Sequence, residues 1–130
     1  MSTLSPLEVS TDFWAIIDKA NRERAKMALI LELMTREEII SFHNQFLNLA
    51  TAILGQEYIQ YMDPGTSEDG ADDVTRWIVG QGRDYYLDIY EHPQKTPASV
   101  EPHSKQQVYY EIPRVFFRRF EEDIWSAEEE

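Results

Sequence analysis

Residues 35–55 constrain this chain more than any other stretch. Thr35-Arg36-Glu37-Glu38 is a T-x-x-E capping box placed directly before an apolar run. The helix it opens is expected to reach about Leu54, where Gly55 stops it. Ile39, Phe42, Phe46, Leu49 and Ile53 repeat at helical spacing on one side. Ile40, Leu47 and Leu54 make a second stripe beside them. A helix with two apolar stripes needs neighbours on both flanks, which puts it in the middle of a bundle. His43 falls between the stripes. It has no second His or Cys at i+3 or i+4, so it reads as a satisfied, half-buried histidine and not as a ligand or a catalyst.

The rest of the chain is written in the same period. Ser10 or Thr11 can cap a first helix, whose stripe is Phe13, Trp14, Ile17 and Ala20. Asn21–Leu33 is a second helix or a bent continuation of the first. Its apolar run, from Ala25 to Leu33, is too broad for one stripe and is expected to be buried on more than one side. Gln56–Met62 is a short helical piece, with Tyr58 and Tyr61 against the third helix. Arg83–His92 is a tyrosine-rich helix ended by Pro93. Residues 93–107 carry three prolines and read as a loop. The final helix buries Val115, Phe116, Phe120 and Ile124 and sets Phe117 and Trp125 to one side. Local ion pairs are expected between Arg118-Arg119 and Glu121-Glu122-Asp123. The fold class is therefore all-α: one compact bundle of about five to seven helices, with 1–10 and 126–130 outside it.

A chain of 130 residues, 42% of them hydrophobic, is long enough for a single core. It has no apolar run of eighteen residues and no basic, apolar leader, so neither a membrane span nor a secretion signal is expected. With no cysteine it has no disulfide frame and no thiolate metal site. The expected compartment is the cytoplasm.

Ser67–Tyr86 is the candidate site. Asp63-Pro64-Gly65-Thr66 reads as a tight turn. A helix then starts near Gly70, with Ser67 or Asp69 as cap and Asp72 and Asp73 in the first turn, where the helix dipole favours negative charge. Val74, Trp77, Ile78 and Gln81 share helical spacing, so Trp77 is expected to point inward as the anchor of the globule. Gly82 is the stop, and Gly80 and Gly82 allow close approach. The acids are either helix caps alone or part of a polar binding site made by Asp69, Asp72, Asp73, Arg76, Gln81, Tyr85 and Tyr86. A calcium loop does not fit: with Asp69-Gly70 at its fifth and sixth positions, Gly65 takes the first ligand position and Arg76 that of the bidentate acid. Adjacent carboxylates on a helix point about 100° apart, so neither Glu68-Asp69 nor Asp72-Asp73 makes a catalytic pair. No catalytic residue, metal ligand or cofactor motif is assigned, and an enzyme is the least favoured class.

Several of these residues also fall into a known pattern. Phe13-Trp14-x-x-Ile17-Asp18-x-Ala20, Ser67-Glu68-Asp69-Gly70, Arg76-Trp77-Ile78-Val79-x-Gln81-Gly82 and Tyr86 resemble the bacterial domain-of-unknown-function family four-two-four-zero over roughly residues 12–120. The turn reads S-E-D-G in place of S-D-D-G. Ala71 stands where an aromatic ring is usual, and Pro64-Gly65-Thr66 replaces a Gly-Gly-Cys type run. The resemblance implies an all-helical fold in a bacterial protein and carries no settled activity.

Charge narrows the function further. The net charge is −12. Residues 57–84 hold seven carboxylates against two arginines, and residues 121–130 hold six carboxylates and no base. Binding to nucleic-acid phosphates or to an anionic membrane is disfavoured, since both draw on cationic side chains. The expected function is a non-enzymatic interaction protein that captures a basic protein partner, for which an immunity-type neutralisation of a basic toxin or a regulatory contact are concrete forms. The alternative is a small-molecule or cation site at the Ser67–Gln81 turn and helix.

Overall fold

The computed structural model describes residues 11–101 and 104–127, and every regular element among them is helical. The elements are α1 (Thr11–Ala20), α2 (Arg24–Glu32), α3 (Arg36–Ala52), α4 (Gln56–Ile59), α5 (Glu68–Gly80), α6 (Arg83–Glu91), α7 (Glu111–Phe120) and α8 (Ile124–Ala127). Short 3-10 turns at Pro93–Lys95 and Val108–Tyr110 join them. The all-α class holds, with eight α-helices among the described residues in place of about five to seven; α4 and α8 are single turns of four residues each. Ser126 and Ala127 belong to α8, and Ala127 is buried. The frayed start, the cap at Ser10, His103 and the acids at 128–130 lie outside the described residues.

α3 begins as its capping box requires. Thr35 Oγ1 accepts from the Glu38 amide at 3.1 Å, and Glu38 Oε1 accepts from the Thr35 amide at 2.8 Å. It ends at Ala52, two residues short of Leu54. Its first stripe is closed to solvent: Ile39, Phe42, Phe46, Leu49 and Ile53 are at most 2% exposed. Phe13 of α1 meets Phe42 at 4.9 Å and Phe46 at 6.0 Å between ring centroids. α5 and α7 pack on α3, and the second stripe, Ile40, Leu47 and Leu54, is partly buried beside them.

α6 is tied to the end of α3 by Tyr86. Its ring is buried, and its hydroxyl donates to the Leu49 carbonyl at 2.6 Å. That carbonyl lies in the last turn of α3, where helix acceptors run out of amide partners. Burial, then the neighbouring phenols of Tyr58 and Tyr90, push the Tyr86 hydroxyl far above its ordinary pKa. Tyr58 makes a similar tether, donating to the Tyr90 carbonyl at 2.8 Å, whereas Tyr61 stands exposed.

Three expectations need correction. First, α2 is the separate second helix and not a bent continuation of α1, but it starts at Arg24 and not at Asn21, because Asn21 and Arg22 both take positive φ, 49° and 59°. Nor is α2 buried on several sides. Met27 and Leu31 are at 0%, but Leu29 is 68% and Leu33 89% exposed. α1 and α7 cover its inner face.

Second, Trp77 is half-buried at the rim of the core and is not its central anchor. The core side of α5 is Ala71, Val74, Thr75, Ile78, Val79 and Gly80. At about 100° per residue, Trp77 is carried to the flank, where it meets Tyr85 edge-on at 5.8 Å. Phe13, Phe46, Phe116 and Tyr86 fill the centre in its place.

Third, Arg118 and Arg119 do not pair with the acids that follow them. Arg118 pairs with Glu32. Arg119 donates through Nη1 to the Leu31 and Met34 carbonyls at 2.7 and 2.6 Å, which closes the C-terminal end of α2. Glu122 instead receives Arg36, at 2.7 Å from Nε and 2.6 Å from Nη2.

Two positions test this packing. A methyl added at Gly80 would stand 3.0 Å from Cγ2 of the buried, β-branched Val108, so Gly80→Ala is expected to lose to crowding at least the ~1 kcal/mol that alanine gains as a helix former, read from the urea midpoint as no increase in stability. Glu121 closes α7 in the left-handed region at φ 55°; Glu121→Gly is expected to raise stability by about 0.5–1 kcal/mol in the same assay, since glycine takes that conformation freely.

Candidate functional site

The site region starts at Ser67. Its hydroxyl oxygen accepts from the Gly70 amide at 3.1 Å, so α5 opens at Glu68, two residues before Gly70. This shift redistributes the acids. Glu68 and Asp69 occupy the first turn, and Asp72 and Asp73 move into the second. Residues four apart share a helix flank. Glu68 and Asp72 accordingly turn towards the end of α3 and α4, while Asp69 and Asp73 turn towards Tyr110.

On the first flank lies a groove of about 410 Å³, lined by Leu54, Ile59, Thr66, Ser67, Glu68, Ala71 and Asp72. Its floor is apolar, and Glu68 and Asp72 stand at its rim. Glu57 on α4, Asp63 in the turn between α4 and α5, and Asp69 on α5 are exposed as well. Among the described residues, none of these five acids is in an ion pair. The groove thus offers aliphatic contact below uncompensated negative charge. Among the described residues no three His, Cys, Asp or Glu side chains converge as a metal site.

The second flank is occupied by the chain itself. The Tyr110 hydroxyl donates to Asp73 Oδ1, and Gln107 Nε2 donates to the Asp73 carbonyl at 2.9 Å. Burial, then the hydrogen bond to Asp73, push Tyr110 up to about 12. The Arg76 guanidinium lies 4.4 Å from the centre of the Tyr109 ring. Tyr109 and His43 share a hydrogen bond of 2.8 Å between hydroxyl and Nε2, their rings stacked at 5.5 Å. Trp125 closes the far side of His43 edge-on at 4.9 Å. His43 is wholly buried rather than half-buried. Burial, then the charge of Arg76, lower its pKa to about 4.

Gln81 and Tyr85 sit at the other end of α5. Gln81 caps the helix and donates to the Trp77 carbonyl at 3.3 Å. With Trp14, Asp18, Gly82, Arg83, Asp84 and Tyr85 it lines a shallow hollow of about 270 Å³. That hollow is roughly 18 Å along the helix from Glu68. Tyr86 is core. The seven candidate residues therefore fall into separate neighbourhoods. Asp72 faces the groove. Asp69, Asp73 and Arg76 face the Tyr109–Tyr110 turn. Gln81 and Tyr85 face the hollow, and Tyr86 faces inward. Sequence reasoning missed Glu68, Leu54 and Ile59 as groove residues. Leu54 was visible as the last position of the second α3 stripe, directly before the chain turns at Gly55.

A family model described as "Protein of unknown function (DUF4240)" matches residues 9–121. No curated protein and no solved structure matches the chain.

His43 gives this region a pH signature. In the unfolded chain its imidazole takes a proton below its ordinary 6.5, whereas in the fold it stays neutral down to about 4. The unfolded state thus binds more protons across that window, and stability falls as pH drops through it, by up to about 3 kcal/mol. His43→Leu should flatten this part of a urea-midpoint profile between pH 6.5 and 4. An unchanged slope in the variant would assign it to other groups.

Proposed function

The chain belongs to the DUF4240 family of proteins of unknown function, and on that footing we propose that it is a non-enzymatic binding protein whose α4–α5 corner captures a basic segment of another protein. The observation that carries the proposal is the groove itself: an apolar floor of Leu54, Ile59 and Ala71 under the carboxylates of Glu68 and Asp72. A lysine or arginine suits both parts, with its methylene stem on the floor and its charged head at the rim. Glu57 and Asp63, on the α4 side, extend the negative field and would steer a cationic partner towards it. The acids at 57–84 outnumber the bases seven to two, which supports the same sign of partner. The apolar floor favours an amphiphilic cation over a bare calcium or magnesium ion, whose ligands are oxygen atoms. A role in neutralising or regulating a basic protein in the bacterial cytoplasm needs only this capture.

The test is fluorescence anisotropy with a labelled peptide of alternating lysine and leucine. Binding is expected to weaken at least tenfold in the Glu68→Gln/Asp72→Asn double variant and to fall with added salt. Equal affinity for wild type and variant would remove the groove from the function.

A further inference from the structure

The hollow between α1 and the start of α6 gathers polar groups that the fold leaves without partners. α6 is nine residues long and opens after Gly82, and no side chain caps it. The first amides of any helix have no carbonyl behind them. Among the described residues, those of Arg83, Asp84 and Tyr85 find no acceptor elsewhere either. They stand at the positive end of the helix dipole, and their residues line the hollow.

α1 supplies an independent donor from the opposite wall. Trp14 is only 5% exposed, its ring edge-on to Phe13 at 5.0 Å and tilted on Tyr86 at 5.6 Å. A buried indole N–H ordinarily finds an acceptor. Among the described residues none meets this one, and the nitrogen is not sealed from water. Trp14 lines the hollow, so that is where its donor opens. A hydrated helix end alone needs no explanation. Here a donor carried on a core ring opens onto the same space as three unpaired amides.

Asp18, four residues after Trp14 and on the same flank of α1, adds the opposite chemistry. Its Oδ1 stands 3.7 Å from the point a Cβ at Gly82 would occupy, beside the start of α6. Among the described residues its carboxylate accepts no hydrogen bond and joins no ion pair. Arg83 and Asp84 offset each other, with Nη1 and Oδ1 3.6 Å apart. The hollow therefore sets one unbalanced carboxylate beside four unused donors. A bare anion would be repelled by Asp18, and a bare cation would leave the donors unmet next to the positive helix end. A ligand that carries both charges on neighbouring atoms answers both needs.

We propose that this hollow binds a free α-amino acid. Its carboxylate accepts from the Trp14 indole N–H and from the first amides of α6, and its ammonium donates to Asp18. The space, about 270 Å³, lies below the range typical of drug-sized ligands and suits a smaller molecule. The site is at the far end of α5 from the acidic groove and shares no residue with it.

The experiment titrates the full chain, labelled with nitrogen-15, with each standard L-amino acid in turn and follows amide and indole N–H resonances. Propionate, which lacks the ammonium, and ethylamine, which lacks the carboxylate, run as parallel arms. Trp14→Phe identifies the Trp14 signal among the three tryptophans. At least one amino acid is expected to shift the Trp14 indole and the amides of Arg83, Asp84 and Tyr85 saturably, with both half-ligands at least tenfold weaker. Asp18→Asn should lose at least tenfold in affinity while its thermal unfolding matches wild type, because Asp18 is exposed. The Glu68→Gln/Asp72→Asn variant should bind the amino acid normally, which separates this site from the groove. No saturable shift with any amino acid, equal affinity in Asp18→Asn, or propionate binding as well as the amino acid would overturn the proposal.

Discussion

The fold rests on the burial of α3 along two flanks. A helix of seventeen residues cannot keep Ile39, Phe42, Phe46, Leu49 and Ile53 dry unless other elements lie along its length. α1 supplies Phe13 to its middle, α5 and α7 pack against it, and Tyr86 of α6 caps its end through the Leu49 carbonyl. Each contact satisfies a need set by α3, whether apolar area to be removed from water or an acceptor left without an amide. The peripheral elements then take their own positions from these partners. Burying five such side chains outweighs any single ion pair on the surface.

What was legible in the sequence was local. Thr35 with Glu38, Ser67 with Gly70, and Gly82 at φ 115° define helix ends through neighbours within four residues, and these boundaries were readable or nearly so. Helical spacing also gave the relative directions of side chains. It did not say where the core lies. Trp77 shares a helix with Val74 and Ile78, but the partners of α5 decide which of them turns inward. The same limit hid the exposure of Leu29 and Leu33. His43 was legible as a histidine between stripes; its partner Tyr109 is 66 residues away, beyond any local pattern. The earlier start of α5 brings Glu68 and Asp69 into its first turn and leaves Asp72 and Asp73 in the second, so the acids of the first turn are not the ones expected.

The two ends of the charge distribution follow from this placement. Carboxylates collect at the α4–α5 corner without counter-ions, while most of the arginines on α2 and α7 serve internal contacts at Glu111, Glu32 and the α2 carbonyls. Net charge alone conceals this polarity.

The bond between α2 and α7 has a further consequence for biogenesis. The groups that secure α2, Arg24 with Glu111 and the Leu31 and Met34 carbonyls with Arg119, are joined to partners 85 to 88 positions further along the chain. A ribosome delivers α2 long before α7 exists, so a nascent chain has only α1 to cover Met27 and Leu31 for most of its synthesis. Premature termination before Glu111 would leave that greasy segment permanently half-covered, a substrate for chaperones and proteases rather than a shortened protein.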